Sequence, residues 1–223
     1  MVAAGAAAYA QKPASGDITL ETQLNFQVGD APISIFTPNV RARYFINPGL
    51  AGRLQFLLAT TSRTDNFSEN NDGTGASGEL KRKTSTFTFR PGIEKHFTGT
   101  AKLSPYVGAE LDLTFNGASE EWTNTDGNDY VKDQKRKVEN GTSTGARASN
   151  RIGVNLIFGA DYYFTESIYV GGEFTWGWGI TNTKDITDTQ TVPPAAETKA
   201  VDVGGSNSGF GIVTSAVRLG IKF

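Results

Sequence analysis

The chain has a single histidine, His96, and no cysteine among its 223 residues. Cys-His catalysis, thiolate metal sites, His-rich metal clusters and a disulfide framework are therefore excluded. His96 falls in an expected short turn and is read as a satisfied surface histidine. Glu110 and Asp112 lie two apart, which puts both carboxylates on one face of a strand. General acid-base chemistry could use that spacing, but membership of an ion-pair network is the simpler reading. Asp126-Gly127-Asn128-Asp129 offers oxygen ligands for Ca²⁺ but lacks the closing Glu of an EF-hand loop, and is read as a turn. Gly171-Gly172 and Gly204-Gly205 are not followed by Gly-Lys-Ser/Thr and carry no phosphate-loop pattern. The triplets Lys81-Arg82-Lys83 and Lys135-Arg136-Lys137 read either as contacts for lipopolysaccharide phosphates or as solvated loop charge. No catalytic constellation emerges, no metal or cofactor is implied, and the expectation is a protein that is not an enzyme.

The elements that must carry these residues have period two. From Ile18 the apolar residues Ile18, Leu20, Leu24, Phe26 and Val28 alternate with Glu21, Gln23, Asn25 and Gln27. Val40, Ala42, Tyr44 and Ile46 alternate with Asn39, Arg41, Arg43 and Phe45. Past Asn47-Pro48-Gly49, Leu50, Leu54, Phe56 and Leu58 oppose Arg53 and Gln55. The pattern recurs over 86–94, 106–115, 151–162, 168–178 and 213–223, giving eight strands of about ten residues, the length a tilted membrane strand needs. Connections at 47–49, 95–103 and 163–167 are short, that at 29–38 is modest, and 61–84, 116–148 and 181–208 are long and polar. Long loops at one end and short turns at the other suit an outer-membrane barrel, and three structureless loops of that size do not suit a compact soluble domain.

Composition agrees. There are 26 Gly, 14 Phe, 7 Tyr and 3 Trp, which favour strands and turns. With 21 basic and 23 acidic residues, the formal net charge of -2 argues against a nucleic-acid partner. Residues 1–10 are small and apolar and end in Ala8-Tyr9-Ala10, read as the remnant of a signal peptide whose start lies upstream. Residues 11–16 would then be a periplasmic N-terminal segment and 17–223 the barrel.

Alternation alone does not separate a membrane barrel from a lipocalin-like soluble barrel, since both have one apolar and one polar face. Three features favour the membrane. Glycines at 92, 108, 153, 159, 171, 177, 179, 211 and 220 stud the polar face, as a narrow lumen requires. Aromatic residues ring the apolar face at two levels, Tyr44 and Tyr162 toward the short turns, Phe115, Trp176 and Trp178 toward the loops. The polar face also carries Arg41, Arg43, Arg53, Arg90, Arg151, Arg218 and Lys222 against Glu21, Glu94, Glu110, Asp112, Asp161 and Glu173, a near balance that a closed lumen could neutralise. Counted from the short turns, Glu21, Arg41, Arg43, Arg53, Arg90, Glu110, Glu173 and Arg218 are expected to share one mid-barrel layer.

The terminal run Ala216-Val217-Arg218-Leu219-Gly220-Ile221-Lys222-Phe223 resembles the β-signal read by barrel-assembly machinery, with Val217, Leu219, Ile221 and Phe223 on the recognised face. Pro105-Tyr106-Val107-Gly108-Ala109-Glu110-Leu111 and Gly159-Ala160-Asp161-Tyr162-Tyr163-Phe164 resemble strands of the small OmpA, OmpX and OmpW barrels, the porin-like outer-membrane β-barrel family. The resemblance covers about residues 17–223. It implies an all-β, eight-stranded, antiparallel up-and-down transmembrane barrel in a bacterial outer membrane, with both termini periplasmic. Because the sequence ends on the last strand, the peptidoglycan-binding domain of full-length OmpA relatives is expected to be absent. It also implies lipid and lipopolysaccharide contacts, and a partner within a larger outer-membrane complex. The leading expectation is a structural or accessory barrel whose lumen is filled by charged side chains. The alternative, implied by the OmpW likeness, is a narrow transport barrel for small or apolar solutes.

Overall fold

The computed structural model describes residues 12–25, 34–68, 77–124 and 134–223. Within them run β1 (Ile18–Asn25), β2 (Ser34–Asn47), β3 (Leu50–Ser68), β4 (Ser77–His96), β5 (Leu103–Asn124), β6 (Lys135–Glu139), β7 (Ser149–Tyr163), β8 (Ile168–Thr183), β9 (Ile186–Thr191), β10 (Thr198–Asp202) and β11 (Ser206–Lys222). Residues 1–11, Phe26, Val28 and the Asp126–Asp129 turn lie outside the described residues.

Eight strands close into a ring in the order β1, β2, β3, β4, β5, β7, β8, β11, with every neighbouring pair antiparallel. The last strand meets the first, and Phe223 and Ile18 exchange backbone hydrogen bonds at 2.9 and 3.3 Å. Closure leaves the ring without a free edge to pair with another chain.

Alternation sets the two faces, and exposure tells which is inside. On β7, Ile152, Val154, Leu156 and Phe158 are 46–56 % exposed, whereas the intervening Asn155, Ile157 and Asp161 are fully buried. The apolar face points outward and the polar face into the ring, the reverse of a soluble lipocalin-like barrel. Tyr44, Phe115, Tyr162, Trp176 and Trp178 all stand on this outer face.

The short turns are fixed by local hydrogen bonds. Gly49 N donates to Asn47 Oδ1 at 2.9 Å, Leu103 N to Thr100 Oγ1 and Ile168 N to Thr165 Oγ1, both at 3.0 Å. Gly99 turns with φ +50°, and a Cβ there would run into the carbonyl oxygen of Leu103, so only glycine fits.

The opposite end corrects the expectation of structureless loops. Pairing of β3 with β4 continues without a break from Leu50↔Lys95 to Ser68↔Ser77, across most of the 61–84 stretch. From Leu103 to Asn116, β5 pairs with β7, and from Ser119 to Thr123 it pairs with β6. Beyond β6 come β9 and then β10, taken from the 181–208 connection. The outer halves of β3, β4 and β5 thus join β6, β9 and β10 in an outer sheet above the ring. Hydrophobic alternation marks a strand only where one face meets lipid. In the outer halves neither face is uniformly apolar, although Glu120, Asn124 and Val138 are buried there, and Thr and Ser sustain the strands without the apolar label.

Candidate functional site

The inward faces of β1, β2, β3, β4, β5, β7, β8 and β11 bring their charges together near the short turns. Arg43 reaches Glu21 at 2.5 Å, Asp161 at 2.7 Å and Glu94 at 3.1 Å. Arg53 reaches Glu94, Glu110 and Glu173 at 2.9–3.0 Å. Arg41 pairs with Glu21 and lies 2.5 Å from Glu173, and Arg218 lies 2.9 Å from Glu21 and 2.7 Å from Glu173. The four arginines are at most 5 % exposed. A buried charge is tolerated only when paired and hydrogen-bonded, and each arginine here touches at least two carboxylates.

Two tyrosines tie the ion pairs together. Tyr169 OH donates to Glu21 Oε1 at 2.6 Å and accepts from Arg43 Nη2 at 2.9 Å. Tyr106 OH donates to Glu173 Oε2 at 2.9 Å and accepts from Arg218 Nη2 at 2.8 Å. Their rings need space on neighbouring strands, which glycine leaves. A Cβ at Gly159 would run into the Tyr106 ring, and one at Gly220 into the Tyr169 ring. Gly211 differs from the other glycines of the polar face, since a Cβ there would meet nothing within 4 Å.

The expected single layer is therefore two levels. Arg90 does not join the lower cluster. It lies 3.2 Å from Asp112 and shares that carboxylate with Arg151, also at 3.2 Å, and reaches Glu110 only at 4.0 Å. Strand stagger raises it above Arg53, while Glu94 and Asp161 take places in the lower cluster. Lys222 sits apart, 3.4 Å from Asp17. Between the two levels, beside Gln55, Glu110 and Thr175, the free volume is about 10 Å³. Above Arg90 and Arg151 it widens into a vestibule of about 920 Å³.

His96 is the second correction. It ends β4 on the inward parity and is 4 % exposed, packed between Phe45 and Tyr106 with ring centroids 5.0 Å away. Its Nδ1 is 3.0 Å from Ser104 Oγ and its Nε2 is 3.1 Å from Glu94 Oε2. That is the connectivity of a hydrolase triad. Ser104, however, is 2 % exposed, and neither the vestibule nor the space beneath it is lined by Ser104, His96 or Glu94. Glu94 is also held by Arg43 and Arg53, which ties His96 and Ser104 into the ion-pair cluster.

A closed ring with a charged interior and a lipid-facing apolar wall narrows the family, and residues 39–177, more than half of the chain, match the OmpA-OmpF-like porin family. The chain belongs to that family. No curated protein matches it. Among solved structures it is similar to a major outer membrane protein of Thermus thermophilus, with 13 % identity, 93 % of this chain and 99 % of that chain covered, and a TM-score of 0.41. OprG of Pseudomonas aeruginosa gives 15 %, 96 % and 98 %, with a TM-score of 0.37. Ail, the attachment invasion locus protein of Yersinia pestis, gives 10 %, 94 % and 99 %, with a TM-score of 0.34. This is an outer-membrane β-barrel of the porin-like kind.

On this porin-like barrel the six basic residues of the two triplets do not share a face. Strand alternation turns Arg82 and Arg136 to the inner face of the outer sheet, where Arg82 pairs with Asp65 and Glu120 and Arg136 forms a double hydrogen bond with Asp188. Burial works against ionisation of Glu120, but the Ser143 hydroxyl and amide and Arg82 outweigh it and lower its pKa. The hydrogen bond from Arg136 lowers that of Asp188. Lys81, Lys83, Lys135 and Lys137 stand on the outer face, Lys81 beside Glu79 and Lys137 beside Glu139.

At the chain's end, Leu219, Ile221 and Phe223 point outward, while Val217 is half-buried opposite Gly172 of β8 and Leu24 of β1. Tyr106 and Tyr169 fall on the polar parity of their strands, and the sequence analysis gave them no role. Their signal was position, four residues before Glu110 and Glu173 on the same parity. The outer strands β6, β9 and β10 had no such signal.

Proposed function

We propose that this chain is a structural or accessory outer-membrane barrel that does not conduct, with both termini in the periplasm and the outer sheet outside the cell. The observation that carries this reading is the buried cluster of Arg41, Arg43, Arg53 and Arg218 with Glu21, Glu94, Asp161 and Glu173. An eight-stranded ring is just wide enough for side chains to fill. Lys81, Lys83, Lys135 and Lys137 meet lipopolysaccharide phosphates in this reading, and the outer sheet is the surface for a larger envelope complex.

The terminal face of Leu219, Ile221 and Phe223 is the segment offered to the assembly machinery. Deleting Phe223 is expected to lower membrane insertion several-fold in cells, read as the heat-shiftable folded fraction. Unchanged insertion removes that role.

Liposome swelling tests the absence of conduction. Vesicles carrying the protein should swell in arabinose no faster than bare vesicles, and fast swelling would favour the second reading, a narrow transport barrel. The 920 Å³ vestibule is the observation on that side. Its lining sets Arg90, Arg151 and the threonine hydroxyls beside Phe210, Ile212 and Val213, so under that reading the solute is small and carries both polar and apolar groups.

A further inference from the structure

The vestibule has a floor with unused chemistry. Asp112, fully buried, accepts from Arg90 Nη2 at 3.3 Å, from Arg151 Nε at 3.2 Å and from Thr114 Oγ1 at 2.8 Å. One carboxylate thus holds two guanidinium groups at one level. Arg151 is fixed through Nε alone, and among the described residues neither of its terminal nitrogens has a partner. Its guanidinium lies against Gly179, where a Cβ would meet Cζ and Nη2 at 2.7 Å, so glycine makes the space the group occupies. Arg90 likewise leaves Nη1 unused. The charges are unequal as well: the lower cluster has four arginines against Glu21, Glu94, Glu110, Asp161 and Glu173, and the floor has two arginines against Asp112. The floor carries a net positive charge facing an open space.

The walls above it are hydroxylated. Thr86, Thr88, Thr114, Thr181 and Ser206 line the vestibule together with Asn207. A guanidinium fork with two free parallel N–H groups matches the two oxygens of a carboxylate, and hydroxyls around it match a hydroxylated carbon skeleton.

We propose that the vestibule is a binding cup for a small hydroxylated carboxylic acid of the uronic-acid class, its carboxylate on the Arg151 fork with Arg90 Nη1 alongside and its hydroxyls on the threonine wall. A planar donor pair suits phosphate as well as carboxylate, and the single carboxylate set against two guanidinium groups favours a monoanion; beside the hydroxyls the lining adds Phe210, Ile212 and Val213 and no further cation. The cup stands whether or not ions pass the cluster beneath it.

Isothermal titration of the detergent-folded parent with D-glucuronate, methyl glucoside and inorganic phosphate tests the assignment. D-glucuronate should bind saturably, and at least tenfold more tightly than either of the others. Arg151→Gln should weaken D-glucuronate at least tenfold, and Thr181→Val, which removes a hydroxyl without touching charge, about threefold. Each variant is first checked for the heat-induced shift of the folded barrel. Three results would overturn the proposal: no saturable D-glucuronate binding by the parent, binding by folded Arg151→Gln within twofold of the parent, or phosphate binding as tightly as D-glucuronate. Swelling and single-channel current report on the lower cluster, and calorimetry on the cup, so the two accounts fail separately.

Discussion

The lower lumen and the outer sheet are built from the same residue types and use them in opposite ways. In the lumen, Arg41, Arg43, Arg53 and Arg218 are buried, and each serves more than one carboxylate. In the outer sheet, Arg136 has one carboxylate partner, Asp188, and 41 % of its side chain is exposed. Coulomb attraction is strong in the confined space and weak in water, but the cost of a lost partner scales the same way. The lumen should therefore be intolerant of single neutralisations and the outer sheet indifferent to them.

The largest effect is expected at Glu173, which alone among the carboxylates touches Arg41, Arg53, Arg218 and the Tyr106 hydroxyl. Glu173→Gln leaves these arginines short of charge in a buried space and should cost about 3–5 kcal/mol in unfolding from detergent or liposomes. A loss of under about 0.5 kcal/mol would mean that water reaches the cluster and screens it.

Glu110 ranks next. It meets Arg53 at 3.0 Å and accepts from Asn155 Nδ2 at 3.0 Å, while Arg53 keeps Glu94 and Glu173. Glu110→Gln retains an acceptor for Asn155 and should cost about 1–3 kcal/mol in the same measurement. An effect larger than that of Glu173→Gln would reverse the ordering given by the contacts.

How far the comparison was legible from sequence follows from the same physics. The ring strands announced themselves because lipid on one side and charge on the other write period two into Ile152, Val154, Leu156 and Phe158 against Arg151, Gly153 and Asn155. The members of the cluster were visible as charges on that polar parity. Their levels were not, because counting along strands ignores stagger, and Arg90 was placed one level too low. His96 was misplaced for a related reason, since β4 runs on to His96 itself and parity then turns it inward. The outer sheet was invisible as structure. β9 sets Thr187, Thr189 and Thr191 on one face and Asp188 and Gln190 on the other, so no hydrophobic alternation distinguishes it from a loop, and its pairing with β6 joins segments about fifty residues apart.

The smallest effects belong to the outer sheet. Arg136→Ala should change global stability by well under about 1 kcal/mol, the range of partly exposed pairs, and should raise amide exchange only in β6, β9 and β10. Acid should do the same locally. Glu120 and Asp188 have pKa values lowered in the folded sheet, so their stabilisation is complete above their ordinary values of 4.5 and 3.8 and is lost as pH falls below them. Amide protection in β6 and β9, measured relative to the intrinsic exchange rate at each pH, should fall between about pH 4.5 and 3 while the ring strands stay protected. An equal loss of protection in β1 and β11 would erase the distinction between the two regions.

Current through the parent protein is the most direct test of what the lumen cluster does. In planar bilayers at neutral pH, the arginines and carboxylates gathered around Glu173 are expected to hold the lumen closed, and insertion should produce no steps above the noise of bare lipid. Long-lived ohmic steps in the unmodified protein would show an open pore and contradict the account.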